Sequence, residues 1–194
     1  FFASGVNSFT KLPTITPKVA DFGNWKSLRG DVVRLDGKIT VLGFSGTNLL
    51  ANRGNLFNLN QKIYQRYHTF KDLQFVMLCP VGTEKDAQAV LDALKAFTDV
   101  KQWNFVFATP EEIANFYKQM QLKSQLDSNY GTSNVFIFDK ERNLRGRKVK
   151  EEYKEGYNTF HPAELSNEML DDFKILLYEY KAALKKNNNA TKQL

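Results

Sequence analysis

Apolar residues recur along the chain with two different periods, and the switches between them mark out strands and helices. Ile39-Thr40-Val41-Leu42-Gly43-Phe44 is almost continuously apolar and rich in β-branched residues, which predicts an interior strand covered on both faces. From Leu56 the spacing changes to three and four, through Leu59, Ile63, Tyr67 and Phe70, the stripe of an amphipathic helix. A second interior strand follows at Leu73-Gln74-Phe75-Val76-Met77-Leu78-Cys79, closed by Pro80. Ala87, Val90, Leu91, Leu94 and Phe97 then predict a helix, with Thr83 as its N-cap and Asp86 in a near capping box. Trp103-Asn104-Phe105-Val106-Phe107 is a third strand. Thr109-Pro110-Glu111-Glu112 combines an N-cap, a proline at the first helical position and first-turn acids ahead of Ile113, Phe116, Tyr117 and Met120.

Past a polar loop, residues 134–139 and 144–147 read as a hairpin. The last helix starts between Pro162 and Leu165 and carries Met169, Phe173, Leu176, Leu177, Tyr180 and Leu184 on one side. Earlier in the chain, residues 31–35 read as a short strand before the turn Asp36-Gly37-Lys38. Everything up to about Trp25, interrupted by Pro13 and Pro17, reads as irregular or edge structure. Strand and helix alternate and then close on an antiparallel hairpin, so the expected fold is α/β, with a mixed central sheet and helices on both faces. The division expected is an N-terminal extension at 1–30 and one domain at 31–194, with a polar insertion at 147–164 ahead of the last helix. Within that insertion Tyr153 and Tyr157 read as exposed residues among alternating Lys and Glu.

Composition narrows the chemistry. Of 194 residues 42% are hydrophobic, with 16 Phe and 8 Tyr, enough for one aromatic-rich core. Lys plus Arg exceed Asp plus Glu by 27 − 21 = 6. The basic residues are spread along the chain apart from Arg145–Lys150 and a lysine-rich tail, so no nucleic-acid partner is expected. No run reaches the ~18 apolar residues of a membrane span. The chain opens on Phe1-Phe2-Ala3-Ser4-Gly5 without Met or a basic leader, and membrane attachment is expected only through a segment upstream of Phe1.

Cys79 is the single cysteine, which excludes an intramolecular disulfide and a cysteine-ligated cluster. At the end of an interior strand it reads as a buried, inert thiol, against the alternative of a mixed disulfide with a partner. His68 reads as a surface residue, and its spacing from His161 supports no metal site. No phosphate-binding glycine motif is present and no cofactor is expected. The loop between the first interior strand and its helix carries Ser45, Thr47, Asn48, Asn52 and Asn55 as donors and acceptors and Arg53 as a cation. It reads as helix-capping structure or as a resting place for a small anion or carboxylate.

The run Asp36–Phe44, the helix near Leu56, the strand end Phe75–Pro80 and Val135-Phe136-Ile137-Phe138-Asp139 before the hairpin together resemble the Sco/SenC branch of the thioredoxin-like superfamily. The resemblance covers roughly 30–147 and implies a thioredoxin-like fold. Members carry a Cys-x-x-x-Cys motif in the loop after the first interior strand and a histidine before the hairpin, and use them for copper delivery and thiol maintenance in cytochrome oxidase assembly. By resemblance Leu49 and Arg53 stand where the two thiols would be, and the loop 125–134 holds no histidine. A thiolate is needed both to attack a disulfide and to hold copper(I), and neither Leu nor Arg supplies one. The resemblance therefore implies a non-catalytic, envelope-located or membrane-anchored bacterial domain. Its expected partner is an envelope protein, bound over Ser45, Thr47, Asn48, Leu49, Asn52, Arg53, Asn129, Tyr130 and Gly131. The alternative is a copper chaperone or thiol-disulfide oxidoreductase acting through Cys79 or relocated ligands.

Overall fold

The computed structural model describes residues 11–192, so the first ten residues of the expected extension and the last two of the expected domain lie outside the described residues. Three parallel strands form the centre of one mixed sheet: β3 (Ile39–Ser45), β4 (Leu73–Pro80) and β5 (Trp103–Ala108). On the β3 side the antiparallel strand β6 (Gly131–Phe138) follows, then β7 (Leu144–Arg145) and β1 (Thr14–Thr16). On the other side β2 (Lys26–Ser27) closes the edge antiparallel to β5. The segment 11–30 thus supplies both outer strands, and its Leu12, Val19 and Phe22 are buried.

Strand parity separates two cores. Ile39 and Val41, then Phe75, Met77 and Cys79, then Trp103 and Phe105, then Val135 and Ile137 point to one face of the sheet. That face is covered by α1 (53–67), α2 (Glu84–Lys95) and α4 (162–192). Leu42, Phe44, Val76, Leu78, Val106, Phe136 and Phe138 point to the other, against α3 (Pro110–Gln119) and the N-terminal segment. Each such side chain contributes about 1.5–3 kcal/mol on burial, which is why strands covered on both faces read as unbroken apolar runs. Cys79 therefore faces the first core by parity, two residues beyond Met77.

Several expectations are corrected. Residues 31–35 form no strand, only an isolated bridge from Val32 to Lys26. Val33 and Leu35 are buried, but the amides of Leu35 and Asp36 donate to the Asp21 carboxylate (2.7 and 3.1 Å) and the Arg34 carbonyl accepts from the Gln74 side chain (2.7 Å), so these groups bond side chains and not a neighbouring strand. Thr109 makes the capping box with Glu112, whereas the Thr83 hydroxyl donates to the Pro80 carbonyl (2.8 Å) and caps nothing. The first helix begins at Arg53, three residues before its apolar stripe, and ends at Tyr67. It includes a π-helical turn at Asn60–Tyr64 that turns both of those residues inward. Phe97 lies beyond the end of α2 and is 67% exposed, against the rim of Phe57, and Leu184 is 60% exposed where α4 outruns the sheet. His68 is half-buried, stacked on Tyr64.

The insertion at 147–164 is also more ordered than a solvated loop. It forms a small hairpin, β8 (Lys148–Val149) with β9 (Glu152–Tyr153), and then β10 (Tyr157–Asn158), which pairs with β6 at Val135 and Asn134. Tyr153 is exposed, but Tyr157 is fully buried and donates to Asp172 of α4 (2.6 Å). Asp172 also takes the Arg147 guanidinium at 2.9 and 3.0 Å. Among the described residues no helix is long and apolar enough to cross a membrane.

Candidate functional site

The site is built where two chain directions meet. β3 runs out at Ser45, and beside it β6 begins at Gly131, the two residues being register partners. A Cβ on Gly46 (φ +65°) would lie 3.0 Å from the Asn129 carbonyl and from the Gly131 Cα, so the two glycines allow the loops to touch. The Thr47 amide then donates to the Asn129 carbonyl (3.0 Å). On the far side the Asp127 carboxylate accepts from the amides of Asn129 (2.8 Å) and Gly131 (3.0 Å) through a single oxygen. Tyr130, held at φ +64°, completes this turn.

Further along, β6 bulges away from β3 between Thr132 and Phe136, opposite Gly43. Met77 fills the space above Gly43, where a Cβ would come within 2.5 Å of its sulfur. Behind the bulge lies a cavity of about 230 Å³ between the loop after β3, the start of α1 and the start of β6. Its floor is apolar, with Leu49, Leu56, Leu59, Met77 and Val135, and its rim is polar, with Asn52, Asn55, Asp127 and Ser133. Thr159 and Phe160 close one side, carried there by the pairing of β10 with β6. Phe160 is 68% exposed.

Of the nine residues expected to bind, Ser45, Leu49, Asn52 and Gly131 line this cavity. Leu49 does so from below, being 1% exposed and packed into the first core, so an aliphatic side chain fills the position the resemblance gives to a thiol. Thr47 and Asn48 are exposed on the outer surface of the loop; on the facing turn Tyr130 is exposed and Asn129 half-buried. Arg53 turns back along its own loop and donates to the Leu50 carbonyl (2.7 Å), away from the cavity. Met77, Thr159 and Phe160 carried no signal in the sequence, because each reaches the site through sheet register and not through the loop itself.

Cys79 lies one layer behind Ser45, fully buried, its sulfur 3.4 Å from the Met77 carbonyl. Burial pushes the thiol up to about 12, with the Ser45 hydroxyl opposing the shift and Glu84 adding to it. Burial also raises Tyr64, Tyr117 and Tyr180 above the ordinary phenol value. These groups hold their protons longer in the folded chain than in the unfolded one, so the stability they contribute is intact below about pH 9 and drains as pH climbs towards 12. Each fully buried group removes up to about 1.4 kcal/mol per pH unit in that window. Urea melts between neutral pH and about pH 11 should show the decline, and Cys79→Ala should flatten the part that begins near 9. A slope unchanged by that substitution would mean the thiol ionises in the folded protein.

Among the described residues no group of three or more His, Cys, Asp and Glu side chains could hold a metal ion. With one cysteine in the whole chain, the dithiol–disulfide cycle of a Cys-x-x-x-Cys pair is closed to it.

No family model matches the chain, and no curated protein matches it in sequence. Solved structures match its fold. BsSco, a member of the Sco family of cytochrome c oxidase assembly proteins, superposes with a TM-score of 0.58 at 16% identity, covering 90% of this chain and 98% of BsSco. A candidate protein disulfide isomerase from Bacteroides thetaiotaomicron gives 0.58 at 13% identity, over 87% of this chain and 94% of its own. A thioredoxin-family thiol:disulfide interchange protein from Chlorobium tepidum gives 0.52 at 14%, over 87% and 99%. At these identities the likeness defines the architecture, which is thioredoxin-like.

Proposed function

We propose that this thioredoxin-like domain works by non-covalent recognition of another protein, as an accessory factor of Sco/SenC type in redox-protein or respiratory-complex assembly in a bacterial cell envelope. The observation that carries this reading is the cavity itself. It opens beside the loop to which the resemblance assigns the thiols, it is floored by apolar side chains, and its rim amides Asn52 and Asn55 make no side-chain hydrogen bond among the described residues. Pockets for cofactors and drug-sized molecules run to about 300–1,000 Å³. At about 230 Å³ this one matches a single large side chain of a protein partner better. The envelope setting draws support from the Sco/SenC resemblance and from the Sco-named structure that shares the fold.

The test is a photocrosslinking amino acid placed at Asn55 on the cavity rim, with a control at Ala89 on the exposed face of α2. Irradiated cells should yield a discrete envelope-protein adduct from the rim position and not from the control. Adducts identical at both positions, or none from the rim, would retire the cavity as a recognition site.

A further inference from the structure

The reading of the cavity as a protein-recognition site leaves open what kind of residue it takes, and the charges around it decide that. Among the described residues Asp127 is the one charged residue that lines the cavity. Its carboxylate spends one oxygen on the two turn amides; the other has no hydrogen bond and no ion pair within the described residues. The nearest cation in sequence on the opposite loop, Arg53, is committed to the Leu50 carbonyl. The rim thus combines an apolar pit, two idle amides that can meet a peptide backbone, and a lone negative charge at the mouth.

We infer that the cavity selects a segment of partner protein in which an apolar side chain, seated on Leu56, Met77 and Val135, is followed or preceded by a Lys or Arg that pairs with Asp127. Neighbouring Cα atoms are about 3.8 Å apart, so a cation next to the anchor stays at the mouth while the anchor enters. Phe160, largely exposed beside the opening, supplies an apolar wall for the anchor and for the stem of the basic side chain. Because Asp127 is solvent-exposed, the charge contributes selectivity more than affinity.

The experiment is an NMR titration of the isotope-labelled full chain with N-acetylated, C-amidated tetrapeptides: Gly-Leu-Lys-Gly, Gly-Leu-Gln-Gly, Gly-Leu-Glu-Gly and Gly-Gly-Lys-Gly. The leucine peptides should shift the amides of Gly131, Thr132 and Ser133. The Lys peptide should bind about 2- to 5-fold more tightly than the Gln peptide, and the Glu peptide more weakly than either. Asp127→Asn, which retains an oxygen for the two turn amides, should erase the ranking without abolishing binding. High salt should compress the ranking in the unaltered protein and so provides the same test without a substitution. Equal affinity for Lys, Gln and Glu, or a ranking that survives both Asp127→Asn and salt, overturns the role of the carboxylate and leaves the recognition site standing. Absence of shifts with every leucine peptide, or shifts just as large with Gly-Gly-Lys-Gly, overturns the apolar anchor, and the proposed function with it.

Discussion

Alkylation of Cys79 at about pH 8 is expected to run on the order of a thousandfold more slowly in the folded protein than in the urea-unfolded chain. Two effects combine. A thiol pushed up to about 12 is ionised roughly a thousand times less at that pH than one near the unperturbed value of 9.0, and a fully buried sulfur presents no surface to the reagent. The residual rate should follow transient opening of the structure, rising with denaturant in step with unfolding. The experiment separates the two chemical classes the sequence leaves open, because a thiol that exchanges with a partner's disulfide must react as a thiolate in the folded state. Labelling of the native protein at a rate near that of the unfolded chain would reinstate Cys79 as a reactive centre and displace recognition as the main activity.

Replacing Arg145 with Met is expected to cost about 3–5 kcal/mol, the penalty for stripping the partner from buried charges. The Arg145 side chain is only 8% exposed and has four acceptors. It donates to the Leu12 carbonyl (2.8 Å), to Asp139 (2.9 Å) and to both oxygens of Glu179 (2.8 and 2.6 Å). It therefore ties the N-terminal segment, the hairpin turn and α4 together at the edge of the sheet. For a chain of this length the loss corresponds to a fall in melting temperature of roughly 6–20 °C. Glu179→Gln in the same background should then cost much less than it does alone, since the two positions share one interaction. A variant within about 1 kcal/mol of the parent in urea denaturation would show that water reaches the network and screens it.

How much of this is legible in the residues depends on how local the cause is. The four long strands are visible because burial on both faces imposes a local rule, unbroken apolar character, on each one. The capping box at Thr109 is visible because its partner Glu112 is three residues away. Thr83 has similar lettering, but its hydroxyl is captured by Pro80, an outcome no spacing rule contains. Residues 31–35 illustrate the divide: their apolar residues read as a short strand, yet side chains remote in sequence, Asp21 on the Leu35 amide and Gln74 on the Arg34 carbonyl, take backbone groups a ladder would use. Lys26–Ser27 and Tyr157–Asn158 are two-residue strands with no pattern to detect, and they exist because β5 and β6 offer unpaired edges.

At the candidate site the same distinction holds. That this chain has no pair of thiols is a matter of composition, true of any conformation, so the exclusion of dithiol chemistry needed nothing beyond the order of its amino acids. That Leu49, Met77, Asp127 and Phe160 surround one space, and that Cys79 is sealed a layer beneath it, follows from strand register and from a bulge in β6, which join residues as far apart in the chain as Leu49 and Phe160. Such distances depend on pairings between remote segments, and a single chain read in order encodes them only through the folded energy of the whole.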